Sequence, residues 1–208
     1  KKKSVRRIEA DGVVFNVAEN HQSFWGKFQK GDWEQQTLNT IRMLVDDNTL
    51  FLDVGGWIGP TTLYAAYFAE AVVVLEPDPV AYEVLSENLD ANPKLAAKVK
   101  AYNKAIGFKD GEVDLFTRAL GNSETSIFRT HERGGEELEC GESFRVETLA
   151  AETVANMLPK SGKIVVKIDI EGAEFVIIEN LRKALSHLDA AFMVSTHPQN
   201  VVESTQIE

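Results

Sequence analysis

Two short apolar-rich runs, Val5 to Ile8 and Val13 to Val17, flank Asp11-Gly12 and predict a β-hairpin. A loop with Phe24, Trp25 and Phe28 follows. Asp32, with Gln35 three residues on, has the spacing of a capping box. The helix it opens carries Leu38, Ile41, Leu44 and Val45 on one face. From Thr49 the pattern changes to strand and helix in alternation. Leu50 to Val54 is a short apolar strand, and a Gly-rich turn leads to a helix near Pro60. Ala71 to Leu75 has no polar interruption, as expected of a strand covered on both faces. Asp78-Pro79 caps and opens a helix carrying Tyr82, Leu85 and Leu89. Val99 to Tyr102 is a third strand. Asp110 to Val146 holds only strand-like pieces at Val113–Thr117, Ser126–Arg129 and Phe144–Val146. A helix near Ala150 to Leu158 precedes a fourth strand, Ile164 to Ile170, a helix from Ala173 and a fifth strand, Ala191 to Ser195.

Strands alternating with helices predict a doubly wound α/β fold with a mostly parallel sheet. Residues 1–48 read as an N-terminal cap of hairpin, loop and helix, and 49–208 as the Rossmann-like domain beneath it. Such a sheet usually continues past five strands, so further C-terminal strands are expected beyond the sequence given.

Charge narrows the range of ligands. The chain has 22 Lys and Arg against 32 Asp and Glu, a net charge of −10. Five of the basic residues sit at Lys1, Lys2, Lys3, Arg6 and Arg7, so the body is more acidic still. This argues against a nucleic-acid partner and for a neutral or cationic ligand. The longest apolar stretch, Leu63 to Ala69, is far short of the roughly 20 residues of a membrane span. Cys140 stands alone, which points to a reducing, cytoplasmic setting.

The segment Phe51-Leu-Asp-Val-Gly-Gly-Trp-Ile-Gly59 lies where doubly wound folds bind ligands, at the carboxyl end of the first core strand. Gly55 and Gly56 allow a tight turn and close ligand approach, and Gly59 lets the helix start pack closely. Glu76 ends the next strand at the distance expected of an acid that accepts hydrogen bonds from ribose hydroxyls. These features are shared by dinucleotide enzymes and methyltransferases. Asp53 separates them, because a carboxylate at the strand tip would repel a pyrophosphate by ~1 kcal/mol or more. S-adenosylmethionine has no phosphate, and its ammonium and sulfonium suit a nearby anion. The alternatives are an NAD-dependent oxidoreductase and a non-catalytic adenosyl-binding module.

Further stretches strengthen the methyltransferase reading: Trp33-Glu34, Glu76-Pro77-Asp78-Pro79, Ala105-Ile-Gly107 with Asp110-Gly111, and His197-Pro198. The most specific is Val166-Lys-Ile-Asp-Ile-Glu-Gly-Ala-Glu174. With these the chain resembles the FkbM-type S-adenosylmethionine-dependent methyltransferases from about Trp33 to His197. The resemblance implies methyl transfer to an oxygen, commonly a hydroxyl of a sugar or other small molecule. That family usually has Ala and Asn where this chain has Gly56 and Trp57, and Asp where it has Ala150. The indole of Trp57 either alters how the methionine end is held or packs under the cap.

Methyl transfer to an alcohol calls for a general base near the acceptor. Asp169, at the tip of the fourth strand, is the first candidate, as base or as anchor of the methionine end. Glu171 competes with it, and His197, after the fifth strand, titrates near neutrality. Glu171 and Glu174 equally suit a helix N-terminus. Glu34 could reach the cofactor's ammonium or simply favour its own helix. The polar loop Gly121 to Ser126 could contact a hydroxylated acceptor. No compact metal-ligand motif is present, so no metal is expected.

Overall fold

The computed structural model of the chain describes residues 4–123, 125–126, 130–133, 136–139, 141–158, 162–170 and 174–196. The predicted hairpin is formed by β1 (Val5–Ala10) and β2 (Val13–Ala18), which pair antiparallel. Asp11 and Gly12 both adopt positive φ, which matches the right-handed twist of the strands they join. The segment expected to be a loop is a helix, α1 (Gln22–Lys30). Trp25 and Phe28 lie three apart on its buried face, a helical spacing masked in the sequence by adjacent Phe24. The next helix, α2 (Gln35–Leu44), starts later than the capping-box reading placed it. Glu34, not Asp32, is its N-cap, and the Gln35 amide donates to Asp11 at 2.6 Å instead of folding back.

Then come β3 (Thr49–Val54), α3 (Pro60–Phe68), β4 (Ala71–Leu75), α4 (Pro79–Asp90), a single turn α5 (Pro93–Ala96) and β5 (Val99–Tyr102). Asp78 caps α4 as expected, accepting from the amides of Val80 and Ala81. After β5 the chain leaves the core sheet through β6 (Ala105–Gly107), β7 (Gly111–Thr117), β8 (Thr125–Ser126), β9 (Thr130–Arg133), β10 (Glu136–Glu139) and β11 (Glu142–Ala150). Val113–Thr117 and Phe144–Val146 are thus parts of a second, four-stranded sheet of order β6-β11-β7-β8, with β9 and β10 paired as a hairpin, while of the expected Ser126–Arg129 piece all but Ser126 lies outside the described residues. The chain returns through α6 (Ala151–Met157), β12 (Lys163–Ile168), α7 (Glu174–Ala184) and β13 (Asp189–Val194). Where the resembling family carries an Asp, Ala150 has no side-chain cap to offer α6. Asp110 from the β6–β7 turn takes its place, accepting from the Ala150 amide and the Thr153 hydroxyl at 2.8 Å each.

The five-stranded core sheet has the order β13-β12-β3-β4-β5, all parallel. The chain winds outward from β3 in one direction and from β12 in the other. That reversal places a topological switch point between β3 and β12, with a crevice at their carboxyl ends. Both faces of the sheet are covered. One apolar cluster joins Phe51, Val72, Val74 and Val165 to the hairpin, α1, α2 and α3. The other joins Leu52, Val73, Val166 and Ile168 to α6 and α7 through Val154, Ile177 and Leu181. This is the expected doubly wound, Rossmann-like α/β fold. Among the described residues no helix is long and apolar enough to cross a membrane.

Candidate functional site

A cleft of about 240 Å³ opens at the switch point, over the carboxyl ends of β3, β4 and β12. Strand alternation decides which side chains reach it. Phe51, Val74 and Val165 face the cap side of the sheet, so the same period of two sends Asp53, Glu76, Lys167 and Asp169 to that side. Parallel pairing also places Lys167 directly beside Asp53.

Lys167 is the centre of this group. Its ammonium lies 3.4 Å from Asp53 Oδ1 and 3.4 Å from Asp169 Oδ2, and it donates to the Gly55 carbonyl at 3.2 Å. Burial opposes its charge, but the carboxylates of Asp53, Asp169 and Glu34 prevail and raise its pKa above the ordinary lysine value. Asp53 is fully buried, and its second oxygen accepts from the hydroxyls of Thr61 and Thr62 at 2.8 and 2.7 Å. The expectation that Asp53 faces the ligand is therefore corrected: it lies outside the cleft wall and acts through Lys167, which lines the cleft. Asp169 and Glu34 do line it. Three carboxylates around one ammonium leave this end of the cleft negative.

Glu76 lines the cleft between β3 and β4. Its oxygens accept from the backbone amides of Trp57 at 2.6 Å and Asp78 at 2.8 Å. Burial dominates all the same and pushes its pKa up to about 8, the two amides and Lys167 only partly offsetting it. Asn103 braces the strand end by donating to the carbonyls of Glu76 and Pro77. Beyond Glu76 the wall becomes apolar, with Ala105, Ile106 and Leu115 from the second sheet.

The glycines also make room for the protein itself. Gly55 and Gly56 line the cleft, but a Cβ on Gly55 would lie 2.0 Å from the Asp169 carbonyl oxygen. On Gly56 it would lie 2.2 Å from the Val74 side chain. Protein, not ligand, fills the space these residues leave, and it lets β3 and β12 close at their tips. Gly59 lies outside the cleft wall and packs against Leu85 of α4, as expected of a close helix start.

Trp57 joins the cleft to its surroundings. Although not glycine, it has a φ of 47°, which turns its amide toward Glu76. Its indole donates to the Gly121 carbonyl at 2.9 Å, and its ring meets Phe24 and His21 edge to face. The indole thus packs under the cap, the second of the two placements expected for it. Through Gly121 it also fixes the loop whose Asn122, Ser123 and Thr125 line the cleft. Of the other candidates, Glu171 and His197 lie outside the described residues. Glu174 is fully buried at the start of α7. Among the described residues no group of three or more His, Cys, Asp or Glu is placed to hold a metal ion.

Sequence reasoning passed over Lys167, Thr61 and Thr62 as site-building residues. For Lys167 a signal was present: a lysine inside an otherwise apolar strand, two residues before Asp169, must share its face. For Thr61 and Thr62 none was, because their bonds to Asp53 depend on how the Gly-rich turn folds the helix start back onto the strand.

No protein-family model matches the chain, and neither does any curated protein. Among solved structures it is similar to the methyltransferase FkbM from Methylobacillus flagellatus KT, with 16% identity and a TM-score of 0.49 over 74% of this chain. That overlap is 34% of the other chain, so this protein spans about a third of its length. It is similar also to the 23S rRNA methyltransferase ErmE, at 15% identity and a TM-score of 0.43, covering 77% of this chain and 46% of that one. Precorrin 8w decarboxylase from Methanobacterium thermoautotrophicum shares 17% identity, at a TM-score of 0.41, over 76% of this chain and 61% of its own. The fold itself rests on the parallel strand order and the switch point, which the chain shows directly.

Proposed function

We propose that the chain is the cofactor-binding part of an S-adenosylmethionine-dependent methyltransferase acting on a hydroxyl of a small molecule. The observation that carries this reading is the charge at the switch point: Glu34, Asp53 and Asp169 gathered around the single Lys167. Such an end suits a ligand with an ammonium and a sulfonium and opposes a pyrophosphate. The rest of the cleft fits the same molecule. Glu76 has lone pairs left for ribose hydroxyls, and Ala105, Ile106 and Leu115 offer an apolar seat for a purine.

Bound there, S-adenosylmethionine would supply a methyl group activated by the sulfonium. Glu76 would hold the ribose, and Glu34 and the Lys167 cluster would orient the amino-acid end. Asp169, at the cleft surface, would take the acceptor's proton or, failing that, anchor the ammonium. Lys167 holds Asp169 in place in either role. A small-molecule acceptor is favoured over RNA because the net charge of −10 repels a phosphate backbone. RNA methyltransferases such as ErmE are nonetheless among the similar structures.

Titration calorimetry tests the cofactor. S-adenosylmethionine is expected to bind and NAD not, and Glu76→Ala is expected to weaken binding by about 1.5–3 kcal/mol. Tight NAD binding, or unchanged affinity in the variant, would overturn the reading.

A further inference from the structure

Phe24, Trp33 and Trp57 stand together in the wall of the cleft. Phe24 meets Trp33 at a centroid distance of 5.2 Å and Trp57 at 4.6 Å, with interplanar angles of 79° and 80°. Trp25 and Phe28 of the same aromatic group are fully buried and seat α1 on the core. Phe24, Trp33 and Trp57 are only half-buried, and each keeps part of its ring at the cleft. All five pack on the core, and Phe24, Trp33 and Trp57 in addition line the cleft.

Backbone strain concentrates at the same place. Besides Asp11 in the hairpin turn, the non-glycine residues with positive φ among the described residues are His21, Glu34 and Trp57. Glu34 and Trp57 line the cleft, and His21 packs on Trp57. A bulky residue held in the left-handed region costs on the order of 1–3 kcal/mol, and such residues gather at ligand sites. This is also the end where Asp169 and Glu34 supply carboxylates, since both act on the charge of Lys167.

We infer that the aromatic wall of Phe24, Trp33 and Trp57, beside the cofactor's amino-acid end, is the acceptor subsite, and that it takes a neutral, flat aromatic compound carrying a hydroxyl, of the phenol class. The inference rests on the methyltransferase reading and narrows its acceptor. Rings set at right angles accept a further ring edge to face, a geometry that a non-planar sugar does not complete. The excess of carboxylate excludes a phosphorylated acceptor. In the transfer the hydroxyl proton passes to the Asp169 carboxylate and an oxygen lone pair forms the O–CH3 bond. The electron pair of the broken C–S bond stays on sulfur, leaving an aryl methyl ether and S-adenosylhomocysteine.

The test supplies methyl-labelled S-adenosylmethionine to the protein with three separate pools: neutral mono- and dihydroxybenzenes, free hexoses with their glycosides, and bulk transfer and ribosomal RNA. Label is expected in the phenol pool. Trp33→Ala and Phe24→Ala are expected to lower that transfer at least tenfold, Trp33→Phe less, all with cofactor affinity within threefold of wild type. That retained affinity shows the variants are folded. Label in the sugar or RNA pool, no label in phenols despite cofactor binding, or normal transfer by both Ala variants would overturn the acceptor assignment alone. Failure of the wild type to bind S-adenosylmethionine would overturn the methyltransferase reading instead, and this inference with it.

Discussion

Asp53 and Lys167 show how the meaning of a residue depends on its partner. Each is buried, and each is tolerated because the other neutralises it at 3.4 Å. Lys167→Met removes the ammonium and leaves the buried Asp53 charge with only the Thr61 and Thr62 hydroxyls. A loss of about 3–5 kcal/mol in denaturant unfolding is expected, and the double variant Lys167→Met/Asp53→Asn should recover most of it. Near-normal stability of the single variant would show that the pair is not coupled. Glu76 gives a prediction in pH. Its folded-state pKa of about 8 lies above the ordinary carboxylate value of 4.5. The folded protein therefore holds a proton there that the unfolded chain gives up. The stability this contributes is fully present below about pH 4.5 and is lost as pH rises through about 8. Glu76→Gln, which cannot ionise, should lack this decline between about pH 4.5 and pH 8. Ribose hydroxyls donate best to the ionised acid, so cofactor binding at pH 7 should release a proton. Calorimetry in buffers of different ionisation enthalpy measures that release, and zero protons exchanged would contradict it.

Among the elements, α4 ties the cap to the Gly-rich turn. Asn88 on its buried face accepts from the Ala18 amide at 2.7 Å and donates to the Ile58 carbonyl at 2.8 Å. Asn92, one turn later, exchanges hydrogen bonds with the backbone of Asn16. Asn88 of α4 and Asn92, which caps α5, thus satisfy the free edge of the hairpin and the end of the Gly-rich turn. Asn88→Ala would leave a buried amide and a buried carbonyl unpaired, at a cost of about 1–3 kcal/mol for each group. A drop in the denaturant midpoint with an unchanged slope is the expected reading. Gly59 permits the same packing from the other side, because Leu85 occupies the position its Cβ would need.

At the scale of the whole molecule, the cleft joins parts far apart in the chain: Phe24 and Trp33 of the cap, Glu76 of β4, Leu115 of the second sheet and Asp169 after β12. A ligand that bridges them should stabilise the fold as a unit. At a hundred times its dissociation constant, S-adenosylmethionine is expected to add about 2.7 kcal/mol and raise the melting temperature, where NAD at the same concentration does not. Equal shifts with both would mean that the charge at the switch point does not select.

The sequence by itself determined the hairpin, the five core strands and the helices at Pro60 and Pro79. Their signals are local: runs of apolar residues one strand long, a proline at a helix start, a capping Asp78. It also marked Glu76 and Asp169, because a strand's end and its alternation can be read along one segment. Only the tertiary structure decided what those residues meet. It buried Asp53 against Lys167 and showed that Gly55 makes room for the Asp169 carbonyl. It joined the pieces between Asp110 and Val146 into a sheet, and it turned the supposed loop around Phe24 into a helix bordering the cleft. Each of these rests on a contact between segments tens of residues apart, and the pattern along a single strand or helix carries no information about which distant partner will fill the space beside it.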